Sequence, residues 1–160
     1  MRFNDYLADT FRFNDVTNRK LLDKIRHMPQ PDEAVKLFSH LVQSQDKWMA
    51  RLEQRPEAPA MSWWEPVYPL EELEAQWNRS VGSWMQYVEN SSEEFLLTET
   101  TFIGHDGTKW AARPVDIALQ LNYHSIHHRA QIQTLLRAQG IEPDFVDYIG
   151  TRYRKLPPGN

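Results

Sequence analysis

The stretch from Leu121 to Gln131 reads L-N-Y-H-S-I-H-H-R-A-Q and lies inside the last long helix that the apolar pattern predicts. His124 and His128 are four residues apart, which places both on one face of an α-helix, one turn above the other. They fill a gap in an apolar stripe between Leu121 and Ile132, so this face is predicted to point into the core. Buried imidazoles are costly to desolvate, and a metal ion bound by their neutral nitrogens removes that cost.

A second interpretation of the two histidines is structural. Buried histidines often hydrogen-bond to backbone or carboxylate groups, and pairs at this spacing also arise by chance. A third ligand elsewhere would decide for a metal. His40 lies on the inner flank of the second predicted helix, next to Leu37 and Leu41, and by itself it is typical of a hydrogen-bonded edge histidine.

Composition favours one folded domain spanning residues 1–160. Hydrophobic residues make up 41% of the chain and aromatic residues 12%, which is typical of a protein with a substantial core. The net charge is −4 and both signs are interspersed, without a basic run. We therefore expect no nucleic-acid partner.

The chain has no cysteine, which excludes disulfides, thiolate zinc sites and a cysteine nucleophile. Any thiol chemistry would need a thiol from outside the protein. The first residues, M-R-F-N-D-Y-L-A-D-T-F, contain no apolar run of signal-peptide length, and no later segment has the length of a membrane span. A cytoplasmic protein without a membrane partner is expected.

Apolar periodicity and helix-end signals predict an all-α fold, a four-helix bundle. The helices run approximately from Phe3 to His27, from Pro31 to Gln54, from Leu70 to Asn90 and from Arg113 to Gly140. The short connection between the first two predicts that they are antiparallel neighbours.

The segment from Arg55 to Pro69 is rich in proline and cannot be helical throughout. Its roughly fifteen residues reach about 50 Å when extended, whereas a helix of this protein is about 30 to 35 Å long. The segment can therefore cross the whole bundle, which predicts a long crossover and a third helix parallel to the second. Trp63 and Trp64 in this crossover either line a pocket mouth or pack the loop onto the bundle.

A small β-hairpin is predicted before the last helix. Two β-prone runs between Phe95 and Ala111 flank a turn that contains Asp106 and Gly107. After the last helix, the tail is predicted to fold back onto the bundle through three apolar residues, Phe145, Tyr148 and Ile149.

The run H-S-I-H-H-R-A-Q-I, followed by L-L-R-A-Q-G-I-E-P, resembles the DinB/YfiT-like superfamily of metalloenzymes, whose members carry an H-x-x-H-H-R-G-Q pattern here. The segments F-N-D-V-T-N-R-K-L-L and L-F-S-H-L-V-Q-S-Q-D-K-W and the hairpin also fit, so the resemblance covers most of the chain. In that family, a histidine of the second helix and the first and last motif histidines bind a divalent metal. Carried over by position, the resemblance implies the ligands His40, His124 and His128.

The chain departs from the family pattern at three positions outside the ligand set. Ala130 replaces the motif glycine, Gln120 stands where many members have a histidine, and Tyr123 replaces a frequent asparagine. These differences concern the surroundings of the metal and the substrate more than the metal itself.

Helix depth is compatible with the three ligands. His40 lies about nine residues into its helix, and His124 and His128 lie about ten to fourteen residues into theirs, which gives depths of roughly 14 Å and roughly 15 to 21 Å. The depth of His40 agrees with that of His124 and His128 if the second and last helices are parallel, and nearly agrees if they are antiparallel. The relative direction of the second and last helices therefore stays open.

Four further residues are candidates for the surroundings of the site. His127 is rotated off the buried stripe and is interpreted as a rim residue. Arg129 and Gln131 point away from the histidine stripe, and Arg129 is expected to pair with an acidic residue of a neighbouring helix, with substrate anchoring as the alternative. Asn14 lies on the apolar stripe of the first helix and needs a hydrogen-bond partner if buried.

Three protein nitrogens leave coordination positions open, as in catalytic metal sites. Zinc is the expected metal for imidazole ligands, and nickel, iron and manganese remain compatible. No H-E-x-x-H motif is present, which disfavours a zinc protease.

Some relatives of this superfamily are transferases or isomerases that use a low-molecular-weight bacterial thiol. The resemblance therefore implies a metal-dependent, thiol S-transferase-like enzyme that acts on a small-molecule substrate in stress or detoxification. The alternatives are a metal-dependent hydrolase that activates water, and a non-catalytic helical-bundle protein with structural histidines. Because association is common in the family, a homodimer is expected.

Overall fold

The computed structural model describes residues 2–156, which are mostly helical. The elements are α1 (Phe3–Ile25), α2 (Asp32–Leu52), α3 (Leu73–Asn90), α4 (Glu93–Leu97), β1 (Thr100–Ile103), β2 (Lys109–Ala112), α5 (Pro114–Ala138) and a single 3-10 turn at Tyr148–Thr151. The predicted domain extends to residue 160, and its last four residues and Met1 lie outside the described part. No helix of the described residues is long and apolar enough to cross a membrane.

Local chemistry explains where the long helices begin. Asp32 and Glu33 occupy the first turn of α2 behind Pro31, where acidic side chains complement the positive end of the helix dipole. Pro114 opens α5, where a missing backbone N–H costs nothing. Arg113, just before that helix, donates to the Asp116 carboxylate over 2.7 Å.

Each of α1 and α2 packs against both α3 and α5. Within residues 2–156, α1 and α2 do not form an extensive contact with each other. The prediction that the first two helices are neighbours is therefore wrong. The six-residue connection between them spans up to about 20 Å, whereas packed helices lie about 8 to 10 Å apart. It is therefore long enough to join two helices that are not in direct contact.

Polar contacts fix the directions of α1 and its neighbours. Asn4 of α1 donates to the carbonyl of Val88 near the end of α3 over 3.0 Å, so α1 and α3 are antiparallel. The α1 residue Asn14 hydrogen-bonds Asn122 of α5, and Gln30, just past the end of α1, hydrogen-bonds Gln139, just past the end of α5. α1 and α5 are therefore parallel.

Aromatic contacts fix α2 relative to α3. Phe38 of α2 meets Trp77 of α3 edge to face with ring centroids 5.5 Å apart, and Trp84, two turns later, donates its indole N–H to the Gln45 carbonyl over 3.0 Å. α2 and α3 therefore run parallel, and the residues between them return along the whole length of α2. Trp77, Trp84 and Phe38 belong to the fully buried centre of the core.

The hairpin before the last long helix is present, with Thr100 opposite Ala112 and Ile103 opposite Lys109. Gly107 in its turn has a φ of 81°, a conformation that favours glycine.

One boundary of the predicted β region is wrong. The segment Glu93–Leu97, which includes the start of the first β-prone run, is the short helix α4. The Ser92 hydroxyl caps that helix by accepting the backbone N–H of Phe95 over 3.1 Å.

The predicted contact of the tail with the helices is realised by one of its three residues. The Tyr148 ring packs edge to face on Phe13 of α1, with centroids 5.2 Å apart. Phe145 and Ile149 are instead 79% and 61% exposed. Within residues 2–156, polar contacts add to this aromatic one: Arg152 pairs with Asp9 of α1 over 2.6 Å, and Gln133 of α5 donates to the Asp144 carbonyl over 3.3 Å.

Candidate metal centre

Three histidines from α2 and α5 converge in the core. The Nε2 atom of His124 lies 3.1 Å from Nε2 of His40 and 2.9 Å from Nε2 of His128. His124 and His128 are one turn apart on α5, as the sequence predicts, and His40 faces them from α2. Among residues 2–156, these three form the group of histidine and acidic side chains whose ligand atoms are close enough to share a metal ion.

The relative direction of α2 and α5, which the sequence leaves open, follows from the same region. His40 faces His124, and Trp48, two turns further along α2, shares a cavity with Gln120 and Leu121, which precede His124 on α5. The two helices are therefore antiparallel. The histidines meet because both sites lie near the middle of their helices.

Hydrogen bonds at Nδ1 orient two of the imidazole rings. His40 donates from Nδ1 to the Trp63 carbonyl over 2.5 Å, and His128 donates from Nδ1 to Oε1 of Gln131 over 2.6 Å. Each bond holds the proton on Nδ1 and leaves a lone pair on Nε2, the atom that faces the other histidines. Such outer hydrogen bonds are the usual support of metal-binding histidines.

Burial keeps the three rings neutral near pH 7. It lowers the pKa of His124 from 6.5 to about 4, and the neighbouring imidazoles add to the effect. Burial also lowers the pKa of His40, against the opposing effect of the Trp63 hydrogen bond. The pKa of His128 is lowered by burial too, against its hydrogen bond with Gln131. Neutral imidazole is the form that binds metal.

The spacing of the nitrogens suits one divalent ion. A tetrahedral zinc ion with Zn–N bonds of about 2.1 Å holds its nitrogen ligands about 3.4 Å apart, and an octahedral ion holds adjacent ones about 3.0 Å apart. The two Nε2 separations from His124, 3.1 Å and 2.9 Å, lie near these values. Three nitrogens leave at least one coordination position for another molecule.

Trp64 covers one side of the site. Its indole stacks on the His40 ring with centroids 3.7 Å apart and planes 9° from parallel. The crossover between α2 and α3 therefore contacts His40 twice, once through the Trp63 carbonyl and once through this ring. Both predicted functions of the tryptophan pair are thus combined, because Trp63 lines a cavity and Trp64 packs the loop.

A cavity of about 350 Å³ opens beside the histidines. It is lined by His40, Ser44, Trp48, Trp63, Gln120, Leu121 and His124. Ser44 is only 3% exposed, and its hydroxyl oxygen has no hydrogen-bond partner in the described part of the chain. Buried hydroxyl groups are nearly always hydrogen-bonded in proteins, so the Ser44 hydroxyl departs from the usual pattern at the edge of this cavity.

A comparison of the sequence with models of known protein families gives a match that covers the three histidines. The sequence model of the DinB family matches residues 24–158, which include all three histidines. The chain belongs to the DinB family. Comparison with curated proteins and with solved structures gave no match.

In this DinB family protein, the other predicted residues lie at different distances from the centre. Gln131 contacts His128 directly, as described above. His127 is exposed, and its ring centroid lies 4.9 Å from that of His128. Asn14 is 4% exposed and donates to the Asn122 side chain, which supplies the partner that its burial requires.

The predicted ion pair of Arg129 is wrong. Arg129 is 3% exposed, and its guanidinium donates to Oδ1 of Asn14 and Oδ1 of Asn18, each over 3.2 Å, and to the Thr17 hydroxyl. These partners are all neutral, and no ion pair links Arg129 to a carboxylate within residues 2–156. Burial lowers the pKa of Arg129 to about 10, so the group remains charged at pH 7.

Sequence reasoning missed the polar network that surrounds Arg129. Asn122 donates to the Thr10 hydroxyl over 2.7 Å, and Asn18 donates to the Ser125 hydroxyl over 2.8 Å. The network joins α1 to the α5 turns that carry His124 and His128. Its signal in the sequence is the spacing of Thr10, Asn14, Thr17 and Asn18, which places polar side chains on the buried face of α1.

Proposed function

We propose that this DinB family protein is a divalent-metal-dependent enzyme of the thiol S-transferase type, acting on small electrophiles in stress or detoxification. The observation that carries the proposal is the convergence of three neutral histidine nitrogens beside a cavity that His40 and His124 line. A cytoplasmic location is part of the proposal. Structural zinc sites, in contrast, are closed by four protein ligands.

His40, His124 and His128 are the proposed ligands. A divalent metal held there would lower the pKa of a coordinated thiol or water and polarise oxygens. Zinc is expected, and nickel, iron or manganese would also suit imidazole ligands. The Trp63 carbonyl and the Gln131 amide hold two of the rings in the binding orientation.

The reacting sulfur must come from outside the chain, because the chain has no cysteine. We assign it to a low-molecular-weight thiol. Its sulfur forms a bond to an electrophilic carbon, the leaving group departs with the electrons of its own bond to that carbon, and the thiol proton passes to solvent. The thiolate is the reactive form.

The cavity offers separate contacts for the two reactants. Trp48, Trp63 and Leu121 provide apolar walls that bind an electrophile and limit the access of water. Ser44 can donate its hydroxyl proton to a polar group of the bound molecule, and Gln120 contributes an amide.

The proposal extends to architecture and assembly. We infer that α1, α2, α3 and α5 form a four-helix bundle with a long crossover, and that the chain forms a homodimer. Tyr123 and Ile126, which are 64% and 49% exposed on α5, support an association surface. Light scattering of the purified protein measures the oligomeric state, and a monomer at all concentrations would contradict the dimer.

Elemental analysis of untagged protein is the first test. We expect about one divalent ion per chain, lost in His40→Ala, His124→Ala and His128→Ala. His105→Ala is the matched control, since His105 is an exposed histidine of the hairpin turn. Metal-loaded protein is then tested for conjugation of a panel of bacterial thiols to small electrophiles.

The result separates the proposal from its alternatives. Thiol conjugation that disappears with the metal supports the transferase. Turnover of activated esters without added thiol would favour a hydrolase instead. Protein that stays empty after reconstitution with zinc, nickel and manganese would leave a non-catalytic helical protein with structural histidines.

A further inference from the structure

Two buried cations lie one turn apart near the end of α2. Lys47 is 1% exposed and Arg51 is 7% exposed. Neither forms an ion pair with a carboxylate in residues 2–156, and the adjacent acid, Asp46, binds Arg79 over 2.6 Å instead. Burying a charge without an opposite charge is costly, so other groups must compensate the charges of Lys47 and Arg51.

Aromatic rings compensate Arg51 only in part. Its Cζ atom lies 4.6 Å from the centroid of the Trp48 ring, 5.0 Å from that of Trp63 and 4.9 Å from that of Phe102. Such contacts attract a cation through the faces of the rings, yet they accept no conventional hydrogen bond. A guanidinium carries five N–H donors. Among residues 2–156, none accepts a hydrogen bond from the buried Nε of Arg51.

Lys47 is better satisfied than Arg51. Its ammonium group donates to the Met61 carbonyl and lies 4.5 Å from the centroid of the Trp63 ring. Burial lowers the pKa of both side chains, and in Lys47 the nearby charge of Arg51 adds to the effect. Of the two cations, Arg51 is therefore the one whose positive charge is less compensated by the described residues.

Arg51 lines a second cavity, of about 360 Å³, between the end of α2, the segment that follows it and the hairpin. Two further cations, Arg55 and Lys109, line the same cavity. Arg55 is also paired with Glu53, whereas Lys109 is exposed and has no ion-pair partner in the described part of the chain. The remaining wall is largely apolar and includes Pro56, Ala58, Pro59, Phe102 and Ile103.

We propose that this second cavity binds an oxyanion, a carboxylate or phosphate group carried by a small molecule, on the guanidinium of Arg51. A planar guanidinium matches both groups by paired hydrogen bonds, and the anion supplies the opposite charge that no carboxylate of residues 2–156 provides. Lys109 adds a second positive charge at the rim, and the apolar wall takes the rest of the ligand. Occupancy of this site does not require a metal at the histidines.

The test uses metal-free protein that carries His40→Ala, so that no anion can bind through a metal. Inorganic phosphate and malonate are titrated separately by calorimetry, with chloride at matched ionic strength as the reference. We expect saturable binding of at least one of the two anions. Binding of phosphate alone or of malonate alone would support the proposal and identify the class of oxyanion.

Substitutions locate the binding. Arg51→Gln is expected to weaken it by about tenfold or more, since this removes the charge and most donors. Lys109→Gln is expected to weaken it by a smaller factor. Arg26→Gln is the matched control, because Arg26 is an exposed arginine at the opposite end of the helices, where it pairs with Glu74 over 2.7 Å. Its affinity should equal that of the parent.

Two results would overturn the proposal. One is the absence of saturable binding of either anion, which would leave Arg51 as a cation held by aromatic rings. The other is equal weakening by Arg51→Gln and Arg26→Gln, which would indicate general surface charge. If Arg51→Gln fails to fold by circular dichroism, Lys109→Gln decides, and unchanged affinity there counts against the site. Metal content in an otherwise wild-type chain tests the histidine site independently.

Discussion

The Oε1 atom of Gln131 lies 2.6 Å from Nδ1 of His128, less than one helical turn further along α5. An amide oxygen can only accept at this position, so the Nδ1 proton is held and Nε2 of His128 is left free toward His124. The residue that selects the tautomer is therefore three positions from the ligand on the same helix. α5 therefore carries both the ligand His128 and the residue that fixes its tautomer, Gln131.

Replacing Gln131 should weaken metal binding without unfolding the protein. In Gln131→Ala, His128 loses the partner that fixes its ring, and loss of such an outer hydrogen bond typically costs about tenfold to a hundredfold in metal affinity. Competition with a chromogenic chelator measures the change. Gln86→Ala, at an exposed glutamine of α3, is the control. Equal affinities of the two variants would show that Gln131 does not support the site.

Ser44 should contribute to binding of the reactant rather than of the metal. Ser44→Ala removes a buried hydroxyl that has no partner in residues 2–156, so we expect little loss of folding stability. If the hydroxyl bonds the substrate, KM for the electrophile or thiol should rise by about threefold to tenfold with unchanged metal content. Unchanged kinetics would contradict this assignment. Ser83→Ala, on α3, is a serine control away from the cavity.

Trp64 should slow the release of metal, because its ring covers one face of His40 at a centroid distance of 3.7 Å. Trp64→Ala leaves the His40 hydrogen bond to Trp63 in place and removes only the stacked ring. We expect metal to be lost to excess chelator about threefold to tenfold faster. Stopped-flow absorbance of the chelator follows the loss. Trp110→Ala, at a tryptophan that is 55% exposed on the hairpin, should release metal at the wild-type rate.

Much of this site was accessible to sequence reasoning because helical geometry is local. The four-residue spacing of His124 and His128 determines their common face without knowledge of any other element. His40 required the family resemblance, because its place opposite them depends on how α2 and α5 pack. Their antiparallel direction could not be derived, since residues near mid-helix meet in either direction.

The errors of prediction have different physical causes. The run beginning at Phe95 is apolar and β-prone, yet Ser92 and the acids behind it start a short helix, a capping signal that the apolar pattern obscured. The short connection before Asp32 favours neighbouring helices, yet six residues are also long enough to join two helices that do not contact each other. The predicted carboxylate partner of Arg129 is wrong because three neutral oxygens, those of Asn14, Thr17 and Asn18, accept its hydrogen bonds.

The metal-free protein should lose stability as the pH falls from about 6.5 toward 4. The unfolded chain binds protons on its histidines with a pKa near 6.5, whereas burial lowers the pKa of His124 to about 4 in the folded state and also lowers those of His40 and His128. Below pH 6.5 the unfolded state therefore binds more protons, and acidification favours unfolding.

Urea unfolding at pH 7 and pH 5 checks this sign, at values where most carboxylates stay ionised. The wild-type midpoint should fall on acidification, His124→Ala should show a smaller fall, and His105→Ala should behave like wild type. A midpoint that does not change between the two pH values would contradict the prediction. With zinc bound the fall should be steeper, because protons then also displace the metal.

Arg129 should be the most costly polar residue to remove from the helix interface. Its guanidinium bonds Asn14, Thr17 and Asn18 of α1. In Arg129→Met these oxygens lose their shared donor inside the core, which should reduce the free energy of unfolding by on the order of 3 kcal/mol.

Denaturant titration of metal-free protein measures the loss, with Arg137→Met, at an exposed arginine of α5, as the control expected to change stability by less than about 0.5 kcal/mol. Because the same bonds hold α5 against α1 behind the histidines, Arg129→Met should also weaken metal binding, whereas Arg137→Met should not. Full metal affinity in a destabilised Arg129→Met protein would show that the network stabilises the fold without positioning His124 and His128.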